Sequence, residues 1–255
     1  MARLSCILIV RNEAARIERC LRSIAFADEI VVLDTGSTDA TPQLARRHTD
    51  RVYRSAWKGY GGTKQAALEK ATGDWILWID ADEVVPEALA AEIRGIIDGD
   101  TAYSGFRLSR KAFFLGRWMR HGGWYPGRVI RLFRRGRGRF SPDRVHEGVS
   151  LSGEAGFLKN PLEHYTDDSI RHYFEKFNRY TSLAAADIAE RGKRATVLDV
   201  LLRPVFMFLR MYVVRLGFLD GLEGFLLALF SSQYVFAKYA KGRETGRSPV
   251  PAGVA

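Results

Sequence analysis

Apolar runs alternate with helical patterns over the first hundred residues, and this alternation limits the fold more than any other feature of the chain. The runs are LSCILIV at 4–10, EIVVL at 29–33 and WILWI at 75–79. Their unbroken apolar character is typical of strands that are buried on both faces. Between them, 12–25 places apolar residues on one helical face, with Asn12 as the predicted N-cap. Strands that alternate with helices predict an α/β protein with a mostly parallel sheet flanked by helices.

A polar cluster follows each of these strands, at Arg11–Glu13, Asp34–Asp39 and Asp80–Glu83. Ligands bind outside the carboxyl ends of the strands in such sheets, so the three clusters are predicted to converge on one site. In the third cluster, Asp80 and Asp82 leave the strand end only one residue apart. Close carboxylates repel each other unless a cation lies between them, and hard oxygen ligands favour Mg²⁺ or Mn²⁺. The pattern therefore indicates a metal that would bridge a diphosphate.

Each cluster also has a purely structural interpretation. The carboxylates of Asp80 and Asp82 could be ordinary helix-start charges ahead of Pro86. The turn at 34–39 could be a solvated loop in which Asp39 caps the next helix. The usual GxGxxG of nicotinamide-dependent enzymes is missing, which argues against a dehydrogenase on a similar sheet. The shared order and strand-end placement of the clusters favour one binding site over these separate interpretations.

Together these motifs resemble the family-2 glycosyltransferases, which have the GT-A fold. The matching segments are IVRNE at 9–13, LDTGSTDAT at 33–41 and DAD at 80–82. Within that family, GYGGTKQAAL, FFLGRWMRHGGWYPGRVIRLFRRGRGRF and LGFLDGLEGFLLALFSSQYVFAKYAK are similar to bacterial lipopolysaccharide-core β-1,4-glucosyltransferases. The resemblance implies an inverting transfer of a hexose, with glucose as the first choice, from a UDP-sugar to a lipid-anchored saccharide such as the lipopolysaccharide inner core. Polyprenyl phosphate or another cell-envelope glycan is the alternative acceptor.

The resemblance also implies roles for individual residues on the donor side. Asp34 is expected on the base, Asp80 on the ribose or the metal, and Asp82 on the metal. Lys64, in the segment GTKQ, is a candidate phosphate or ribose contact, with a surface lysine as the alternative. The expected nucleotide-sugar residues are Val10, Arg11, Glu13, Asp34, Ser37, Asp39, Lys64, Asp80 and Ala81.

An inverting transferase of this family uses a carboxylate that takes the proton of the acceptor hydroxyl, opposite the leaving diphosphate. Glu147, in PDRVHE at 142–147, is the predicted base, and Asp143 is the alternative. His146 could ligate the metal or orient Glu147, or it could be a structural histidine. The expected cofactor is thus Mg²⁺ or Mn²⁺, held by Asp82, Asp80 and His146.

The segment GRWMRHGGWY at 116–125 mixes aromatic side chains with cations. Aromatic faces stack on sugars and arginine suits phosphate, which favours acceptor contact over a packed loop with solvated arginines. The predicted acceptor-binding residues are Arg117, Arg120, Trp124, Tyr125, Arg128 and Arg131.

The formal net charge of +10 indicates an anionic partner. Residues 196–240 are dense in Leu, Phe, Val and Tyr, but charges such as Arg203, Arg210 and Asp220 interrupt every candidate span. A transmembrane helix needs about 20 mostly uncharged residues. The pattern therefore favours amphipathic helices on an anionic membrane surface. Packing of 196–240 on the catalytic domain, or on a partner in a homo-oligomer, is the alternative.

We therefore expect a GT-A catalytic domain over 1–192, with a donor half at about 1–100 and an acceptor half at about 101–192. Membrane-associating helices over 193–242 and a flexible tail over 243–255 would follow. The two cysteines show no disulfide or zinc pattern, which fits a reducing cytoplasm and a peripheral or monotopic place on the cytoplasmic face of the inner membrane. No nucleic-acid motif is present, so no nucleic-acid partner is expected. A non-catalytic membrane- or nucleic-acid-binding protein is the interpretation from another class, and the intact pair of aspartates argues against it.

Overall fold

The computed structural model describes residues 2–141, 148–192 and 195–244. The predicted base Glu147, its alternative Asp143 and the predicted metal ligand His146 lie outside these ranges.

The described chain forms two compact units. The first runs to Ala112 and continues over Pro126–Thr166, and the second contains Phe113–Tyr125 and the chain from Asp167 onward. The segment 113–125 is predicted within the catalytic domain, whereas in the structure it packs within the second unit. The reason is apolar burial, since Phe114 belongs to a hydrophobic cluster with residues of the C-terminal helices.

Thirteen strands are present among the described residues. In chain order they are β1 (Leu4–Val10), β2 (Glu29–Asp34), β3 (Val52–Arg54), β4 (Trp75–Trp78), β5 (Glu83–Val84), β6 (Gly105–Leu108), β7 (Arg110–Phe114), β8 (Arg117–Trp118), β9 (Val129–Arg134), β10 (Gly138–Phe140), β11 (Val149–Leu151), β12 (Ala155–Phe157) and β13 (Leu162–Asp167). The main sheet of the first unit has seven strands in the order β12-β6-β9-β4-β1-β2-β3. Strand β9 is antiparallel to β4 and β6, whereas β1 is parallel to β2 and β4, β2 to β3, and β6 to β12. The predicted fold class, α/β with a mostly parallel sheet, is confirmed.

Seven α-helices accompany the strands in the described ranges. They are α1 (Ile17–Ser23), α2 (Thr41–Ala45), α3 (Gly59–Leu68), α4 (Glu87–Asp98), α5 (Ile170–Glu190), α6 (Val197–Leu209) and α7 (Gly221–Glu244). A π-helical turn at Arg210–Val214 and a 3₁₀ turn at Gly217–Asp220 lie between α6 and α7. None of the described helices is both long and apolar enough to cross a membrane.

Two hydrophobic clusters cover the two faces of the main sheet. Alternate residues of β1, such as Leu4, Cys6 and Leu8, pack against the buried stripes of α1 and α4. The intervening Ile7 packs on the other face in a cluster with α3. Each fully buried aliphatic side chain stabilises the fold by roughly 1.5–3 kcal/mol relative to an exposed one. Burial on both faces explains why these strands read as unbroken apolar runs, because a strand presents alternate side chains to each face.

The N-cap predicted at Asn12 is wrong. Asn12 has a positive φ of 57°, and α1 begins five residues later at Ile17. The side-chain oxygen of Asn12 instead accepts a hydrogen bond of 2.8 Å from the backbone N–H of Thr38. Asn tolerates the left-handed region better than most residues, so this position joins two loops rather than starting a helix.

The second unit is mainly helical, and in its short hairpin the last two residues of β7, Phe113 and Phe114, pair with β8. Its core contains Phe114, Met119, Met211, Leu227 and Phe230. The side chain of Ser169 caps α5, and a capping box of Thr196 and Asp199 begins α6. These caps satisfy backbone N–H groups that would otherwise lack partners at a helix start.

Candidate active site

The first two sequence motifs meet at the carboxyl edge of β1 and β2. The backbone N–H of Asn12 donates to Oγ of Ser37 at 2.9 Å, and that of Glu13 donates to Oγ1 of Thr41 at 2.7 Å. Asp39 accepts from the backbone N–H groups of Ala14, at 3.1 Å, and Thr41, at 3.0 Å. The motifs are thus one connected structure, as strand-end loops of a parallel sheet should be.

The Asp39 carboxylate is occupied by the protein itself. Burial would raise its pKa, but hydrogen bonds from Thr41 and Ala14 outweigh burial and lower it. Asp39 therefore holds the two loops together. This is a different task from the nucleotide contact that the sequence predicts for it, and a direct contact with nucleotide stays a prediction.

Asp34 ends β2 and is buried. Its carboxylate accepts bonds from the backbone N–H groups of Gly36 and Ser37, and Gly36 has a φ of +98°. A side chain is strained at that φ, so glycine makes the tight turn possible. Next to the turn lies a cavity of about 290 Å³ with two arginines that the sequence analysis did not select. It is lined by Asp34, Ser37, Thr38, Asp39, Pro42, Gln43, Arg46, Val52, Tyr53 and Arg54.

The third motif forms a tight turn after β4. The backbone N–H of Glu83 donates to the carbonyl of Asp80 at 3.0 Å, and the N–H of Asp80 donates to Oε2 of Glu83 at 3.0 Å. Glu83 is fully buried. Burial raises the pKa of Glu83, against the opposing charge of Arg131. Glu83 therefore fixes the backbone that presents the two aspartates.

Two cations contact Asp80, one at each oxygen of its carboxylate. Nζ of Lys64 lies 3.2 Å from its Oδ1, and the guanidinium of Arg131 donates to its Oδ2 at 2.9 Å. Both cations also lie over the ring of Trp78, at 4.1 Å and 3.4 Å from the centroid. Burial would raise the pKa of Asp80, but Lys64 and Arg131 hold it well below its usual range. Asp80 is therefore ionised, with a third of its side chain exposed.

Asp82 pairs with a histidine that the sequence analysis did not select. Nε2 of His164 lies 3.4 Å from Oδ2 of Asp82, and each side chain is 18% exposed. The pairing of β5 with β13 sets His164 opposite Glu83, and the N–H of Tyr165 donates to the carbonyl of Asp82 at 2.8 Å. Burial would lower the pKa of His164, but the bond to Asp82 raises it.

We tested whether this pair fits the metal that the motif implies. No cluster of three or more His, Cys, Asp or Glu side chains suited to a metal occurs in the described ranges. Mg²⁺ is nevertheless usually bound by one or two carboxylates together with substrate phosphates, and carboxylate oxygens suit Mn²⁺ as well. Neutral imidazole is the commonest metal ligand in proteins. The carboxylate of Asp82 and the imidazole of His164 match that donor set, so the residues fit.

The prediction that Arg131 contacts the acceptor is corrected by the structure. Arg131 is 1% exposed, and it donates to both Asp80 and Glu83. A guanidinium enclosed in this way cannot reach an acceptor. Arg128 lies in the same unit, with its guanidinium 5.1 Å from the ring centroid of Phe157.

The other predicted acceptor residues belong to the second unit. Arg117 lies 3.7 Å from Glu223, and Arg120 stacks 4.6 Å from the ring of Trp118. The ring of Tyr125 also contacts Trp118, whereas Trp124 contacts Phe114. These contacts leave acceptor binding by Arg117, Arg120, Trp124 and Tyr125 as a prediction.

With this geometry described, comparison with known proteins defines the class. The sequence model of the family described as "Glycosyl transferase family 2" matches residues 5–166, and the chain belongs to that family. It is 33% identical to the lipopolysaccharide core biosynthesis glycosyltransferase LpsC of Rhizobium meliloti, over 93% of this chain and 91% of LpsC. An uncharacterized glycosyltransferase of Rickettsia typhi is 28% identical over 96% of this chain and 88% of its own length.

A solved structure shows the fold. The mannosyltransferase PcManGT from Pyrobaculum calidifontis, in complex with GDP-Man and Mn²⁺, is similar with a TM-score of 0.57 and 17% sequence identity. The similarity covers 94% of this chain and 87% of that one. The chain therefore has the fold of GT-A glycosyltransferases.

Proposed function

We propose that the protein is an inverting, metal-dependent glycosyltransferase that moves a hexose, with glucose as the first candidate, from a UDP-sugar to a lipid-anchored saccharide. The lipopolysaccharide inner core is the proposed acceptor, supported by the name of the similar LpsC. The observation that carries the proposal is the strand-end pair Asp80 and Asp82, with a cation on the first and an imidazole on the second.

On the donor side, Asp82 and His164 would hold Mg²⁺ or Mn²⁺, which supplies charge stabilisation for the leaving diphosphate when bound. Lys64 is 5% exposed at its side chain and remains beside Asp80, where it adds fixed positive charge. The turn at Asp34 offers backbone and carboxylate groups for a base. These groups are set before substrate arrives, which limits reorganisation during the reaction.

On the acceptor side, inversion requires one carboxylate that removes the proton from the attacking hydroxyl. Glu147 remains our proposed base, with Asp143 as the alternative. Glu147→Gln is expected to keep donor affinity and to lose turnover, because a base acts in the transition state. Full activity of Glu147→Gln together with an inactive Asp143→Asn would assign the base to Asp143.

The transfer reaction can be tested directly. Purified protein is incubated with UDP-glucose, UDP-galactose or UDP-N-acetylglucosamine, Mn²⁺ or Mg²⁺, and inner-core lipopolysaccharide or polyprenyl phosphate. Metal-dependent release of UDP, with a mass increase of one hexose on the lipopolysaccharide, supports the proposal. A product on polyprenyl phosphate alone would overturn the acceptor, and no transfer from any UDP-sugar would overturn the donor.

We also propose that the second unit binds the cytoplasmic surface of the inner membrane. Helix α6 carries a stripe of large apolar side chains that are 48–65% exposed, at the spacing of one helical face. The stripe is Leu198, Leu201, Leu202, Val205, Phe206 and Leu209. A helix of a soluble protein normally buries such a stripe, and a large exposed apolar patch marks an interaction surface.

Charge favours an anionic bilayer as the occupant of the stripe. Arg203 and Arg210 lie beside it and are exposed, with Arg203 in an ion pair with Asp199, and the chain as a whole carries a net charge of +10. Two copies placed stripe to stripe would bring these like charges together, whereas anionic headgroups complement them. Apolar side chains would enter the acyl boundary while the arginines stay at the headgroups.

Flotation with vesicles tests the membrane proposal. Wild-type protein should float with phosphatidylglycerol vesicles, and high salt should release only part of it, because salt screens the ionic component alone. Phe206→Glu should abolish flotation, while the control Phe157→Glu, at an exposed residue of the first unit, should not. Wild-type protein that stays unbound would overturn the proposal. So would a dimer in solution that Phe206→Glu dissociates.

A further inference from the structure

The acidic side chains after β4 are already matched by protein cations. Asp80 is paired with Lys64 and Arg131, and Arg131 also donates to Glu83. Asp82 lies beside His164. One more cation, Arg110 at the start of β7, belongs to the same neighbourhood. Unlike Lys64 and Arg131, it is not part of an ion pair among the described residues.

The sheet directs Arg110 toward this cluster. Strand β7 neighbours β13, and the N–H of Leu162 donates to the carbonyl of Ser109 at 2.9 Å. Lys111 bonds to Glu163 at 3.2 Å on one face of these strands. Because side chains alternate along a strand, Arg110 and His164 share the opposite face. His164 in turn is the cross-strand partner of Glu83, so that face is the one of the acidic cluster.

The electrostatics agree with this placement. Burial lowers the pKa of Arg110, and the neighbouring charge of Arg131 lowers it further, while Glu83, Asp80 and Asp82 act in the opposite sense. The charges that act on Arg110 are thus those of Arg131 and of the Asp80–Glu83 turn, as the strand geometry implies.

The side chain of Arg110 also lacks a partner in the part of the chain that the structure describes. Its Nε is buried without a hydrogen bond, and so are Nε and Nη1 of the neighbouring Arg131. Leaving a buried donor unsatisfied costs roughly 1–3 kcal/mol. A buried donor without a partner calls for an explanation, and a ligand that supplies the acceptor is one such explanation.

We propose that Arg110 is a further phosphate-binding residue, whose guanidinium donates a hydrogen bond to a phosphate oxygen of a ligand at the Asp80–Asp82 turn. The planar fork of arginine matches the geometry of phosphate, and a phosphate oxygen would give the buried Nε the acceptor that it lacks. The phosphate belongs to the donor diphosphate or to a phosphorylated acceptor. The inference rests on the proposed function in placing a phosphorylated substrate at this turn.

Binding of UDP and of uridine separates this role from a structural one. With Mn²⁺ present, Arg110→Gln should weaken UDP by roughly ten- to a hundredfold, the value of a charged hydrogen bond, and leave uridine unchanged. Lys111→Gln is the matched control, because it changes the adjacent residue on the opposite face, and UDP affinity should stay within about twofold of wild type. Equal losses for UDP and uridine would overturn the proposal.

A second experiment shows whether the phosphate belongs to the donor or to the acceptor. If Arg110→Gln leaves UDP affinity unchanged but raises the KM of a phosphorylated inner-core acceptor, and not that of its dephosphorylated form, the acceptor supplies the phosphate. Unchanged UDP affinity with unchanged KM for both acceptors would overturn the proposal. Should Arg110→Gln fail to fold, Arg110→Lys, which keeps the charge and loses the fork, should retain part of the UDP affinity.

If the UDP-sugar assignment is wrong, the pattern of binding will differ from that of an incorrect role for Arg110. Inorganic pyrophosphate with Mn²⁺ contains the phosphate chemistry without the base. If wild-type protein binds pyrophosphate and not UDP, the UDP-sugar assignment is wrong, and the loss of pyrophosphate affinity in Arg110→Gln still tests Arg110. Wild-type protein that binds neither UDP, pyrophosphate nor a phosphorylated acceptor would overturn the inference.

Discussion

Two buried groups of charged residues lie at opposite ends of the same parallel strands, and they differ in how fully they are satisfied. At the amino end, Glu29 begins β2 and is held by Ser5, Arg51 and Thr72. Arg51 also donates to the carbonyl of Lys70 at 2.8 Å. Both oxygens of the Glu29 carboxylate thus have hydrogen-bond partners within the protein.

At the carboxyl ends of the strands, some charged side chains lack a complete set of protein partners. Asp80 is held by two cations yet remains one-third exposed, and Arg110 has a buried Nε without a partner among the described residues. The residue chemistry is the same at both ends, namely carboxylates with arginine. A structural ion pair satisfies its own groups, whereas a site retains unsatisfied groups that a ligand can complete. Substitutions at the two ends should therefore affect different properties.

The largest effect on stability is expected from Arg131→Met. The substitution leaves Glu83 fully buried without its cation, and breaking a buried pair from one side costs about 3–5 kcal/mol. Urea denaturation followed by tryptophan fluorescence measures the loss. Arg134→Met, on the same strand but partly exposed, is the control and should cost about 1 kcal/mol or less. A loss below 1 kcal/mol for Arg131→Met would show that Glu83 is neutral without its partner.

The next largest effect is expected on catalytic activity. Asp82→Asn should lower kcat/KM by at least roughly a hundredfold, since even residues behind the metal ligands change metal affinity by up to that factor. Titration of Mn²⁺ against UDP-sugar turnover measures it. The free energy of unfolding should fall less than for Arg131→Met, because asparagine keeps an oxygen that can still accept from Nε2 of His164. Turnover close to wild type at low Mn²⁺ would contradict the metal role.

The main sheet could be predicted from sequence because its physics is local. Strands buried on both faces require continuous apolar residues, and the runs LSCILIV and WILWI predict strands that the structure has at Leu4–Val10 and Trp75–Trp78. The strand-end clusters could be predicted as well, since parallel strands bring their carboxyl ends together. The helix start at Asn12 was wrong because a positive φ leaves no trace in the pattern of apolar residues.

The partners within the site could not be predicted, because they depend on long-range pairing. Arg131 reaches Asp80 across 51 positions, and nothing local distinguishes it from its exposed neighbours in RLFRRGR. His164 meets Asp82 only because β13 pairs with β5. The segment around His164, EHYTD, carries no metal-ligand spacing of its own. Such residues require the tertiary structure.

At the amino end of the strands, Glu29→Gln should lower the free energy of unfolding by about 1–3 kcal/mol. Glutamine has one acceptor oxygen, whereas both oxygens of Glu29 accept hydrogen bonds. Burial would raise the pKa of Glu29, but the bonds from Ser5 and Thr72 and the charge of Arg51 lower it below the ordinary value of 4.5. The stabilisation is therefore complete above pH 4.5 and is lost as the pH falls through the lowered pKa.

The difference in unfolding free energy between wild type and Glu29→Gln should consequently shrink on acidification. Urea denaturation at pH 7, 5, 4 and 3 measures it, with the exposed Glu154→Gln as the control. UDP affinity at pH 7 should not change, since the substitution lies at the far end of the strands. A gap between wild type and variant that widens toward low pH would contradict the assignment.

The smallest effect is expected from Ser5→Ala. The hydroxyl of Ser5 donates to Glu29 and accepts from the backbone N–H of Gly73 at 2.8 Å, so its removal leaves one buried donor unsatisfied. The loss should be about 0.5–1.5 kcal/mol. Because Ser5 and Glu29 share one network, the double variant should lose at least about 0.5 kcal/mol less than the sum of the single losses. Combining Ser5→Ala with Asp82→Asn should instead give additive losses, since the two residues lie at opposite ends and share no partner. Coupling between Ser5 and Asp82 as strong as that between Ser5 and Glu29 would mean that the two ends of the sheet are not independent.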